Sequence, residues 1–109
     1  MGMFDWVDLG EYTLKCQKCN FSLKGWQTKD SPEQNCIQYR VLDSGIIEIE
    51  DECDENNEAI SFKAVPVDFC GCWKIHTYCD ECNKKDWQYK MYDAQMVILD
   101  GKLYRIKAK

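Results

Sequence analysis

The amino-acid sequence predicts a mainly β protein, one small antiparallel sheet folded as a single domain. Short runs of alternating apolar and polar residues, bounded by Gly, Asp, Asn and Pro, recur from end to end, whereas long helical periodicity is scarce. A length of 109 residues suits one compact domain, and a composition of 45% hydrophobic and 13% aromatic residues supports a folded core. A domain of this size buries only about two thirds of its unfolded surface, so additional staples help it. Eight cysteines are the available staples.

The elements follow in order. Ile37, Tyr39 and Val41 alternate with Gln38 and Arg40, Asp43-Ser44-Gly45 supplies a turn, and Ile47 and Ile49 alternate with Glu48 and Glu50, which predicts a hairpin. Residues 60–64 and 72–78 read as extended segments, separated by a bend because Pro66 does not fit an uninterrupted central strand. Residues 87–91 read as a further strand. Residues 96–99 and 103–106 flank Asp100-Gly101, the strongest short-range hairpin signal in the chain. Nothing resembles an interdomain linker, so residues 1–109 form one domain, with an acidic loop around 43–58. Trp26, Trp73, Trp87, Tyr39, Tyr78, Tyr89, Tyr92 and Tyr104 fall in these alternating patterns and read as core residues, with base stacking as the second reading.

Charge is distributed unevenly. The formal net charge is −5, yet Asp43, Glu48, Glu50, Asp51, Glu52, Asp54, Glu55 and Glu58 crowd into a stretch without a basic residue. Such a stretch is either a solvated, self-repelling loop or a surface that steers a basic partner. Glu48, Glu50, Asp51, Glu52, Asp54, Glu55 and Glu58 are its candidate partner-binding residues. Calcium is a poor match, because the central Gly and the ligand spacing of an EF-hand loop are missing. Lys102, Arg105, Lys107 and Lys109 make the C-terminal segment basic, but the overall acidity argues against a generic nucleic-acid binder.

No apolar run approaches the roughly 18 residues of a membrane span. The first residues lack the basic flank and apolar stretch of a signal peptide, and Trp6 stands where a myristoylation pattern requires Ser or Thr. These features predict a cytoplasmic protein. In a reducing compartment, cysteines serve as metal ligands more often than as disulfides.

The most specific motif is a repeated knuckle, Cys16-Gln17-Lys18-Cys19-Asn20 and Cys79-Asp80-Glu81-Cys82-Asn83. Two thiolates separated by two residues grip one tetrahedral zinc from a tight turn, and two such turns complete a four-sulfur shell. Asn after the second cysteine fits a position with φ > 0. Cys16, Cys19, Cys79 and Cys82 are therefore the predicted zinc ligands of a zinc-ribbon-like site. Four thiolates around one divalent ion would add two negative charges to the formal count. A disulfide scaffold is the competing reading of the cysteines. Cys36, Cys53, Cys70 and Cys72 are the candidates for a second metal site, with buried thiols as the simpler alternative. His76, the one histidine, reads as a strand residue rather than a ligand.

Catalysis finds little support. Four thiolates close the shell that a catalytic zinc keeps open, and neither paired histidines nor a Gly-rich phosphate loop is present. A thioredoxin-like dithiol would need a helix start in a βαβ setting, which the pattern lacks. No small-molecule substrate is expected.

The opening Met1-Gly2-Met3-Phe4-Asp5, the first knuckle, the following Gly25-Trp26-Gln27-Thr28-Lys29-Asp30 and a strand leading into the second Cys-x-x-Cys resemble small bacteriophage-encoded zinc-ribbon proteins of uncharacterised function. The resemblance covers residues 1–30 and about 72–83. It implies a phage protein in the bacterial cytoplasm, with Gln27, Thr28 and Lys29 on a strand after the first knuckle, and no mechanism. The leading expectation is a non-enzymatic, zinc-stabilised protein that binds a host protein through the acidic segment or an exposed sheet edge. One version inhibits a bacterial defence or nucleic-acid enzyme. The alternatives are a nucleic-acid-binding zinc ribbon and a thiol redox protein.

Overall fold

The computed structural model describes residues 4–18, 20–32, 36–79 and 91–108. Eight strands lie in chain order: β1 (Asp5–Asp8), β2 (Trp26–Thr28), β3 (Gln38–Val41), β4 (Ile47–Cys53), β5 (Ala59–Ala64), β6 (Gly71–Tyr78), β7 (Met91–Leu99) and β8 (Lys102–Ala108). They form one sheet in the order β5-β4-β3-β1-β2-β6-β7-β8. The helical content of the described residues is one short 3-10 turn, Gly10–Tyr12. No helix among the described residues is long and apolar enough to cross a membrane.

The mainly β expectation holds, and the antiparallel one holds for six of the seven pairings. The exception is β1 beside β3, which run parallel. Asp5 explains this start-to-start alignment. Its buried carboxylate accepts the Ile37 N–H at 2.9 Å and the Ser31 hydroxyl proton. Together with the Trp6 N–H to Ile37 carbonyl bond of 2.9 Å, it brings the entrance of β3 to the first residues of β1.

Alternation on β6 and β7 builds the largest part of the core. Trp73, Ile75 and Thr77 point inward opposite Met96, Ala94 and Tyr92. The sheet curls strongly enough for β3 to meet β6 across the interior, where the Tyr39 and Trp73 rings pack edge-on at 5.1 Å and Phe69 packs on Trp73 at 5.7 Å. The curl nearly closes at one end. Ile47 N–H donates to the Gly101 carbonyl at 3.0 Å, and Leu103 N–H donates to the Gly45 carbonyl at 2.7 Å. The turn between β7 and β8 thus docks on the turn between β3 and β4. Asp100 (φ 53°) and Gly101 (φ 74°) both adopt the left-handed region, as the two-residue hairpin signal predicts. Gly is required at 101 for a second reason, since a Cβ there would stand 3.0 Å from the Pro66 carbonyl oxygen.

Past the end of β2, side chains continue the ladder. The Thr28 hydroxyl donates to the Lys74 carbonyl at 3.0 Å and accepts the Asp30 N–H at 3.1 Å, while the Asp30 carboxylate accepts the Lys74 N–H at 2.7 Å. Both backbone groups of Lys74 are therefore met without a further strand residue.

Two sequence expectations change. The acidic stretch is largely a strand rather than a loop around 43–58, because Ile47 and Ile49 hold β4 in register with β3 and the β5 ladder extends it to Cys53. The turn that remains runs from Asp54 to Asn57 and is held by the Asp54 carboxylate, which accepts the Asn56 and Glu58 N–H groups at 2.9 Å each. Aromatic placement divides as well. Trp26, Trp73 and Tyr39 are core residues, whereas Tyr104 is 69% exposed on β8. Of the strand expected over 87–91, Met91 opens β7 and the remainder lies outside the described residues.

Candidate metal centre and acidic hairpin

The first knuckle sits on a small hairpin. Lys15 bridges Ser22, the Leu23 N–H donates to the Leu14 carbonyl at 2.9 Å, and the Cys16 N–H donates to the Phe21 carbonyl at 2.8 Å. Asn20 closes the tip with φ 62°, its N–H on the Cys16 carbonyl at 2.8 Å. This is the positive-φ role expected of an Asn after the second knuckle cysteine.

Hydroxyl groups dock that hairpin on the sheet. Thr13 accepts the Trp26 indole N–H at 2.9 Å and donates to the Leu23 carbonyl at 2.6 Å. Thr77 on β6 donates to the Lys24 carbonyl and lies 3.3 Å from the Gly25 carbonyl. Its register partner on β7, Tyr92, places its hydroxyl 3.1 Å from Cys16 Sγ and accepts the Gln17 N–H at 3.3 Å. Neighbouring positions of two strands thus grip the two ends of the segment that carries the knuckle. Tyr92 and Thr77 had no motif to mark them, and only the register of β6 with β7 reveals their role.

Cys79 follows directly after β6. Cys16 and Cys79 are 1% and 2% exposed and both belong to the hydrophobic core. Their partners Cys19 and Cys82 lie outside the described residues. Among the described residues, no three His, Cys, Asp or Glu side chains gather in a metal-holding group. Buried thiols are soft donors shielded from water, a chemistry that suits zinc better than calcium or magnesium.

The structure does not assemble Cys36, Cys53, Cys70 and Cys72 into a second site. All four are exposed. Cys72 lies near the closed end, opposite Val97, while Cys53 stands at the far end of β4, about 20 Å along the strand from Ile47. Cys72 Sγ accepts the Gln95 amide at 2.8 Å, and Cys53 donates to a Glu50 carboxylate oxygen at 2.6 Å. That hydrogen bond, followed by desolvation and the negative charges of Glu50 and Asp54, pushes the Cys53 thiol above its ordinary pKa. A raised pKa disfavours the thiolate that a metal ligand needs. His76 lies on β6 between Gln27 and Asp93 in register, as a strand residue.

The seven acidic candidates divide into two groups. Glu48 holds Arg40 at 2.6 Å beneath a guanidinium that covers the Phe62 ring at 4.0 Å. Asp51 pairs with Lys63 at 3.5 Å, Glu50 takes the Gln38 N–H at 3.2 Å and the Cys53 thiol, and Asp54 holds the turn. Glu52, Glu55 and Glu58 enter no ion pair among the described residues and lie exposed around the tip of the β4–β5 hairpin. A cleft of about 580 Å³ opens beside β1, lined by Trp6, Asp8, Lys24, Gln38, Arg40 and Phe62 among others. No family model matches the chain, and no curated protein or solved structure matches it either.

Proposed function

We propose that the chain is a non-enzymatic, zinc-stabilised binding module, with zinc held by Cys16, Cys19, Cys79 and Cys82 and with the tip of the β4–β5 hairpin presented to a basic surface of a host protein in the bacterial cytoplasm. Bound there, the tip would compete with a phosphate backbone, as in an inhibitor of a defence or nucleic-acid enzyme. The observation that carries the reading is the burial of Cys16 and Cys79, one cysteine of each knuckle, with Tyr92 reaching Cys16 from the strand position opposite Thr77, two residues before Cys79. Glu52, Glu55 and Glu58 support the partner assignment, since the other carboxylates of the hairpin are already engaged within the fold.

Metal analysis of reduced protein should give one zinc per chain, and chelation should unfold it, because structural zinc contributes folding energy outright. Less than half an equivalent overturns the metal assignment. The triple variant Glu52→Gln, Glu55→Gln, Glu58→Gln should keep stability within about 0.5 kcal/mol and lose capture of basic proteins from host lysate. Unchanged capture overturns the partner assignment. A nucleic-acid-binding ribbon is the second reading, favoured by the cleft in which Trp6 is 37% exposed beside Lys24. Affinity for single strands that falls as salt rises, with a slope reporting released counterions, would decide for it.

A further inference from the structure

We infer that the cleft beside β1 is a binding site for one nucleoside monophosphate, with the base stacked on Trp6, its edge met by the Gln38 side-chain amide and its phosphate held by Lys24. The inference uses neither the metal nor the acidic tip, so it stands or falls apart from the binding-module reading above. Strand register sets the floor of the site. Trp6 pairs with Gln38 and Asp8 with Arg40 across β1 and β3, and the alternation on both strands turns these four side chains away from the buried Val7 and Tyr39. The cleft of about 580 Å³ that they help to line falls within the range of small-molecule sites, about 300–1,000 Å³.

Trp6 is the stacking surface. It is 37% exposed, and its ring is fixed from two sides: Phe4 packs edge-on at 5.0 Å, and a Cβ built on Gly25 would stand 3.7 Å from Trp6 Cζ3. A ring already fixed loses little freedom when a base stacks on it, and stacking accepts any base. The Arg40 guanidinium covers the Phe62 ring at 4.0 Å and is held by Glu48 at 2.6 Å, so Arg40 contributes a wall whose charge is already matched. The Asp8 carboxylate accepts the Gly10 N–H at 2.9 Å. Two polar side chains of the lining are uncommitted, since those of Lys24 and Gln38 enter no hydrogen bond or ion pair among the described residues. Gln38 offers an amide donor and acceptor beside Trp6, which suits the edge of a base. Lys24 is the lining cation without an ion pair, which suits a phosphate. An aromatic hydrocarbon would leave both groups unused, and a bare anion would leave Trp6 unused.

The test titrates the protein with adenosine monophosphate, adenosine, inorganic phosphate and a terminally phosphorylated oligoadenylate, followed by calorimetry and by NMR amide shifts. Adenosine monophosphate should bind saturably and move the Trp6, Gly25 and Gln38 signals. Lys24→Gln, at an exposed position, should weaken the monophosphate about threefold and leave adenosine unchanged. Trp6→Leu, with its fold checked by circular dichroism, should weaken both roughly tenfold. A monophosphate that outbinds the oligonucleotide assigns the site to a free nucleotide, the reverse order assigns it to a strand end, and both orders uphold the shared chemistry. No saturation at millimolar monophosphate overturns the inference, as does binding that spares these three signals. Inorganic phosphate that moves the same signals as strongly overturns it by reducing the site to an anion contact. Oligonucleotide binding that the monophosphate does not displace overturns it too, while leaving the nucleic-acid reading in place.

Discussion

Replacing Thr28 by Val should cost the fold about 3 kcal/mol, a figure assembled from the bonds of one hydroxyl. Thr28 is fully buried. Valine conserves the shape of the side chain, so packing is nearly unchanged and the loss is polar. The Lys74 carbonyl loses its 3.0 Å donor and the Asp30 N–H loses its 3.1 Å acceptor. Each group left without a partner in a protected site costs about 1–3 kcal/mol, so the two together cost about 2–6 kcal/mol, and partial access of water from the turn side keeps the sum in the lower part of that range. An unfolding entropy of about 2.1 cal/mol/K per residue makes 3 kcal/mol equivalent to a fall in Tm of roughly 13 °C for 109 residues. Thermal unfolding followed at fixed free zinc is the assay, so that any metal the proposed site binds does not move Tm by mass action. Thr28→Ser, which keeps the hydroxyl, should lose less than half as much. A Thr28→Val protein within 3 °C of wild type would refute the claim that side chains extend the β2–β6 ladder.

Two further outcomes follow from local geometry. At pH 8, Cys53 should be alkylated more slowly than Cys36, Cys70 and Cys72, which are also exposed, because Glu50 raises its pKa and lowers its thiolate fraction; Glu50→Gln should speed its labelling, read by peptide mass spectrometry. Gly101→Ala should destabilise the protein by about 2 kcal/mol, visible as a lower denaturant midpoint, because the position combines φ 74° with a Pro66 carbonyl 3.0 Å from the new methyl group.

Much of the strand pattern was legible in the sequence because it rests on local rules. Ile47 and Ile49 alternate, Asp100-Gly101 marks a tight turn, and Pro66 interrupts a ladder wherever it stands. The acidic stretch was misread for an instructive reason. A run of carboxylates looks like a solvated loop when its neighbours are unknown, but Arg40, Lys63 and the Cys53 thiol, drawn from three different strands, neutralise or engage much of it. That information is tertiary. The candidate metal centre shows the same division. The knuckle and its Asn are written in five consecutive residues, whereas Tyr92 and Thr77 act through the register between β6 and β7, which no spacing in the chain announces.

The parallel pairing of β1 with β3 bears on how the chain folds. In the β3-β4-β5 and β6-β7-β8 groups each strand lies beside its sequence neighbour, so these pairings close shorter lengths of chain than that of β1 with β3 and cost less entropy. Their union is of another kind. Four residues of β1, supplied from the N-terminal segment, stand between β3 on one side and β2 on the other, and the Gly101 turn must find Ile47 where the curl nearly closes. Pairings such as Gln27 with His76, on the other side of β2, and the bond between Ile47 and Gly101 join residues far apart in sequence, and their loop-closure cost has to be met before their bonds return anything. Strands β1 and β2, of four and three residues, are thus a short seam between two hairpin groups, and on topological grounds the seam is expected to form after them.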